Sequence, residues 1–156
     1  MKEKVSIPPE FLEAIKRQAE RDYPNETCGI LTGPSSQAEV ISGIFPCPNR
    51  QDEYHARDPE SFPRTARTAY FIDPKDLLRI QRESRGKGEE MRVIYHSHTD
   101  AGAYFSEEDT RVALSEGGPA WPGVSYAVVS VIQGKAGEAA LFQWEAGKKA
   151  FTGSKI

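Results

Sequence analysis

The sequence predicts an α/β fold: a mixed β-sheet flanked by helices. Three observations carry it. Apolar residues recur at helical spacing in separated segments, runs rich in β-branched and aromatic residues lie between them, and the C-terminal part alternates such runs with Gly-containing turns, as in hairpins. The 156 residues suit one compact core, which buries about two thirds of the surface that the unfolded chain exposes. No internal repeat, linker or change of composition divides the chain, so residues 1–156 are expected to form a single domain.

The first helix follows Pro8-Pro9, where Phe11, Leu12, Ile15 and Ala19 form one apolar stripe and Tyr23-Pro24-Asn25 stops it. Thr27 to Gly33 (TCGILTG) is a short apolar run bounded by turn formers, as expected of a buried strand, and a second strand is expected over Glu39 to Cys47. Pro48 to Tyr70 has several prolines, many charges and no clean period, and reads as a long loop with at most broken structure. Asp73 is a natural N-cap with Pro74 at the first helical position, and Leu77, Leu78 and Ile80 supply the stripe of a second helix that Gly86 and Gly88 end. Met91 to His98 (MRVIYHSH) is a third strand, followed by a polar loop, TDAGAYF. Ser106 caps a third helix whose buried face is expected to hold Val112, Ala113 and Leu114, ended by Gly117-Gly118-Pro119. Strands over Ser125 to Ile132, Glu138 to Glu145 and Lys149 to Thr152 complete a meander.

Composition narrows the function. Hydrophobic residues are 38% and charged residues 28%, as in globular proteins, and 20 basic against 23 acidic side chains leave a net charge of -3. No basic run can track phosphates, so no nucleic-acid partner is expected. No apolar stretch approaches the ~20 residues that span a bilayer, and the N-terminus has no apolar signal region, so the expected location is cytoplasmic, away from membranes. Cys28 and Cys47 are too few for a disulfide framework and are expected to be reduced, with Cys28 a small buried filler.

The chemistry concentrates in His96-Ser97-His98 and Ser106-Glu107-Glu108-Asp109, seven residues apart. Residues two apart in a strand face the same way, so both imidazoles can address one point, and the loop can return Asp109 as a third ligand. Two His and one carboxylate leave an open position on zinc, the arrangement of catalytic sites, where a bound water becomes acidic enough to react near neutrality. A base that does not itself bind the metal is then needed.

HSHTDAGAYFSEED resembles the HxH, seven residues, SxxD signature of the JAMM (MPN-plus) metalloproteases, and NETCGILTG resembles the segment that carries their catalytic Glu. The likeness extends to the FIDP helix start, the PGVSYAVVSV strand and the final FQW strand. It implies a cytidine-deaminase-like JAB1/MPN fold, one Zn2+ per chain held by His96, His98 and Asp109, Glu26 as general base and proton donor, and Ser106 as a stabiliser of the oxyanion. Thr99 stands where many relatives have Pro and should alter loop stiffness. Asp100 is a possible competing ligand, although its position directly beyond the His pair favours a solvent-facing or hydrogen-bonding role. Ser106 also reads as a plain N-cap and Glu26, on its own neighbourhood, as a surface carboxylate. His55 is expected to be solvated. Trp121, Trp144, Tyr95, Tyr104 and Phe105 read as packing residues, although Tyr104 and Phe105 could line a groove.

JAMM enzymes generally cut after the C-terminal Gly-Gly of ubiquitin or ubiquitin-like proteins. Only TRVALSEGGPAWPG separates Asp109 from the next strand, which leaves no room for the second insertion of eukaryotic polyubiquitin-cleaving relatives. The chain therefore resembles compact prokaryotic members that process ubiquitin-like sulfur carrier proteins, trimming an extension or releasing an amino acid such as cysteine. An isopeptidase acting on lysine-linked conjugates and a non-catalytic scaffold are the alternatives. Neither the carrier nor the oligomeric state is legible.

Overall fold

The computed structural model describes residues 4–156. Its elements are α1 (Pro9–Asp22), β1 (Cys28–Pro34), β2 (Gly43–Cys47), α2 (Gln51–Arg57), α3 (Pro74–Gly86), β3 (Glu89–Thr99), α4 (Glu107–Ala113), β4 (Leu114–Ser115), β5 (Gly118–Pro119), β6 (Ser125–Ile132), β7 (Lys135–Glu145) and β8 (Ala150–Lys155). Six strands form one mixed sheet in the order β2-β1-β3-β6-β7-β8, antiparallel except at β3–β6. This is the α/β fold that the sequence predicts.

Alternation along β3 divides the core. Val93 and Tyr95 point to one face and pack with Ile15 of α1, Leu31, Val129 and Leu141. Ile94 points to the other, with Ile30, Ile80 of α3, Ala113 of α4 and Tyr126. Parallel strands need a crossover, and residues 100–124 supply it, returning α4 to the face that carries α3. Among the described residues no helix is long and apolar enough to cross a membrane.

Several expectations need correction. The loop over 48–70 contains α2, whose Tyr54 packs on Phe62 and Phe71 at ring-centroid distances of 5.1 and 4.3 Å. At seven residues and with mostly polar side chains, this helix has too little apolar period to be seen in sequence. β2 starts at Gly43 because residues 37–42 turn, with Val40 N donating to Gln37 O and Ser42 N to Thr32 O. Val112 and Leu78 are 45% and 53% exposed, so neither belongs to its helix's buried face. Leu114 leaves the helix for a two-residue strand, and the β4–β5 hairpin turns through Glu116 and Gly117, both at positive φ. The Gln133-Gly134 pair, with φ of 48° and 81°, lets β7 begin at Lys135 rather than Glu138.

Candidate metal centre

His96 and His98 lie at the carboxyl end of β3 on the α3/α4 face, 0% and 6% exposed. Asp109 meets them from the first turn of α4. Its backbone N–H donates to Ser106 Oγ at 3.0 Å and its Oδ2 accepts the Ser106 N–H at 3.1 Å, a capping box that fixes the carboxylate. Asp109 Oδ1 is 3.1 Å from His96 Nε2, Oδ2 is 3.0 Å from His98 Nε2, and one donor atom from each residue lies within 4.8 Å of the others. Burial disfavours the Asp109 carboxylate, but the two imidazoles against it win and hold it well below the usual carboxylate range. Burial likewise pushes His96 down, against the pull of Asp109, so that its imidazole is neutral and able to ligate.

These donors fit a divalent metal. His98 Nδ1 contacts the Gly102 carbonyl at 2.9 Å, and since a carbonyl only accepts, Nδ1 carries the proton. With that nitrogen engaged, Nε2 is the ring atom that faces Asp109 Oδ2 and is the one available to a cation. His96 Nε2 is buried and, although close to Asp109, lacks the alignment of a hydrogen bond.

Glu26 belongs to the same face. The pairing of Cys28 with His96 continues outward, with Ser97 N donating to Thr27 O at 3.1 Å and Thr27 N to Ser97 Oγ at 2.8 Å, which sets Glu26 beside His98 in the register. Its side chain is buried and Oε1 has no partner. Burial raises the carboxyl to about 9, with a further contribution from Asp109 and a partial offset from Arg64. The surface-carboxylate alternative is thereby removed. A buried carboxyl without a partner is costly unless it serves or holds a proton.

The Glu26 backbone is held by residues that sequence reasoning passed over. Asn49 Nδ2 donates to Glu26 O at 3.0 Å and to Ala69 O at 3.1 Å, while Asn49 Oδ1 accepts from Gln51 N and Phe71 N, each at 3.0 Å. Nothing around Pro48-Asn49 signals this hub. Tyr70 stacks on His96 with centroids 4.4 Å apart and planes at 23°.

The remaining candidates separate clearly. Asp100 is no ligand: at φ 56° it turns away, accepting from Tyr23 Oη at 2.6 Å and from Gln133 N at 2.8 Å. Thr99 donates to Arg67 O at 2.5 Å, a bond that Pro could not make. His55 is half-buried rather than solvated, its Nδ1 2.7 Å from Phe62 O. Cys28 is buried, and burial holds its thiol far above the usual range, as a filler requires. Tyr95 is core, whereas Tyr104 is 54% exposed at the rim, its ring edge-on to His98 at 4.8 Å.

Comparison with known proteins agrees with this geometry. Residues 8–146 match the family described as prokaryotic homologs of the JAB domain. A CysO-cysteine peptidase of Mycobacterium tuberculosis is 31% identical over 121 residues, 78% of this chain and 69% of that protein. A desampylase of Haloferax volcanii is 29% identical over 120 residues, 77% and 73% of the respective chains. Solution structures of proteins from Desulfitobacterium hafniense (TM-score 0.68, 22% identity, covering 95% of this chain and 88% of that one) and Salinibacter ruber (0.64, 24%, 99% and 90%) share the fold.

Proposed function

The chain belongs to the family of prokaryotic homologs of the JAB domain, and from that premise we propose that it is a zinc peptidase that hydrolyses the bond after the C-terminal Gly-Gly of a ubiquitin-like sulfur carrier. The observation that carries the proposal is the convergence of His96, His98 and Asp109 beside a buried, unpartnered Glu26. In this reading the whole chain is one JAMM domain acting in the cytoplasm.

His96, His98 and Asp109 would hold one zinc ion, which would supply Lewis-acid polarisation of the scissile carbonyl and a more acidic attacking water. Glu26 takes the proton of that water on its carboxylate and delivers it to the leaving amine, and a cation nearby favours the deprotonated form that this needs. Ser106 Oγ accepts from the Asp109 amide, which leaves its hydroxyl proton for the oxygen of the tetrahedral intermediate. Gly102 keeps the proton of His98 on Nδ1 and so preserves a ligand lone pair on Nε2. The segment over 48–70 anchors Glu26 through Asn49 and, in this reading, helps hold the carrier's tail.

The test is intact-mass analysis of a Gly-Gly-ending sulfur carrier with a short C-terminal extension, incubated with zinc-loaded protein and with Glu26→Gln. Cleavage after the second Gly by the parent alone is expected. The desampylase relative favours a second reading, isopeptide cleavage, which predicts that a lysine-linked conjugate is hydrolysed faster than the linear extension. A purified protein that takes up no zinc would instead point to a scaffold.

A further inference from the structure

Residues 64–68 bridge the two halves of the candidate site. Ala66 O accepts the Glu26 N–H at 2.7 Å, and Arg67 O accepts the hydroxyl of Thr99, next to His98, at 2.5 Å. From behind, Gln51 Nε2 donates to Arg64 O at 2.9 Å and Asp52 Oδ1 accepts the Ala66 N–H at 2.7 Å. Arg64 is exposed, and its Nη1 reaches Thr68 O at 3.3 Å, which keeps its guanidinium over this turn. Arg64 thus lies on the turn that ties the backbone of Glu26 to Thr99, and its charge favours the ionised form of Glu26. Glu108 is already held by Arg111 at 2.6 and 3.1 Å, and Arg64 forms no ion pair among the described residues. A guanidinium without an ion-pair partner among the described residues therefore sits on the turn that holds the Glu26 backbone.

We propose that Arg64 binds the free α-carboxylate of the leaving residue, making this a peptidase that releases single C-terminal amino acids from a Gly-Gly carrier. The inference rests on the peptidase reading above. In the reaction the water oxygen bonds to the Gly carbonyl carbon, the C–N bond breaks, and a water proton passes through Glu26 to the leaving nitrogen. The products are a carrier ending in a Gly carboxylate and a free amino acid. An α-amino leaving group carries its carboxylate one carbon from the scissile nitrogen, beside Glu26, where a bidentate guanidinium can meet it. A longer extension offers an amide there, and a lysine-linked conjugate offers no such group.

The experiment compares two carriers ending in Gly-Gly-Ala, one as the free acid and one as the C-terminal amide. The parent should favour the acid about 10- to 100-fold in kcat/KM, the scale of one charge-assisted hydrogen-bonded pair. Arg64→Gln should bring the ratio near one, Arg64→Lys should keep part of it, and Arg67→Gln, whose charge acts on Tyr23 and Asp100, should keep it whole. Equal turnover of acid and amide by the parent, or a preference that survives Arg64→Gln, overturns the assignment. If neither carrier is cleaved, the peptidase reading fails, and binding of the two carriers to zinc-loaded Glu26→Gln decides the role of Arg64: equal affinity overturns it, and tighter binding of the acid that is lost on adding Arg64→Gln upholds it.

Discussion

Burial strips Glu26 of water and, with Asp109 nearby, lifts its carboxyl from 4.5 to about 9, so without a cation the folded protein holds it protonated. The consequence is a pH dependence of stability with a definite sign. A folded-state value above the unfolded one means that the stabilisation is complete below the unfolded value and is lost as pH rises through the folded one. Chelator-treated parent protein should therefore lose stability between about pH 5 and 9, on the order of a few kcal/mol. Glu26→Gln should lack that loss, being more stable than the parent at pH 8.5 and close to it at pH 5. Urea midpoints at the two pH values measure this, and parallel pH dependences would mean that Glu26 is not buried as a carboxyl. Nothing in NETCGILTG taken alone signals that environment, because the Glu26 backbone is held by Asn49 and Ala66, which are distant in sequence. The histidines were legible, since their spacing on a strand dictates a shared face.

The element that matters most is α4, seven residues that would not hold a helix alone. Its capping box both nucleates the helix and fixes Asp109, so Ser106 has a structural duty beside the one proposed for catalysis. Substitution can separate the two. Ser106→Gly, which keeps a tolerated N-cap residue, should cost a few tenths of a kcal/mol in stability, and Ser106→Ala about 1 kcal/mol. Both should lower kcat by about 100- to 1,000-fold if the hydroxyl stabilises the oxyanion. Thermal unfolding beside kinetics reads both duties, and a rate that follows stability through the pair would leave only the cap. The Ser106 cap and the acidic turn were visible in the sequence as a helix start. The exposure of Val112 was not, because the crossover sets the rotation of so short a helix through Ala113 and Asp109, its two buried residues.

Across the whole molecule, an aromatic cluster joins the C-terminal hairpin to the ligand loop. Phe105 lies 5.1 Å from both Phe142 and Phe151 and 5.4 Å from Tyr126. Gly153 leaves the room that Phe142 fills, since a Cβ there would collide with its ring. Phe151→Ala should lower stability by about 2 to 4 kcal/mol, from lost burial and ring contacts on a partly exposed edge strand. It should also weaken zinc retention, because Phe105 immediately precedes the cap of α4. Urea unfolding and chelator competition measure the two effects, and lost stability with unchanged metal affinity would show the cluster to be structural only.

The α/β class, the two long helices, the strands that carry the core and the His96, His98 and Asp109 grouping are legible from residue order, because each depends on local period or on spacing along one strand and one short loop. The strand order, the presence of α2, the turning away of Asp100 and the anchoring of Glu26 by Asn49 and Ala66 emerge with the folded chain. Those outcomes depend on hydrogen bonds and packing between segments far apart in the chain, where desolvation and the partners available, rather than local preference, set where a polar side chain goes.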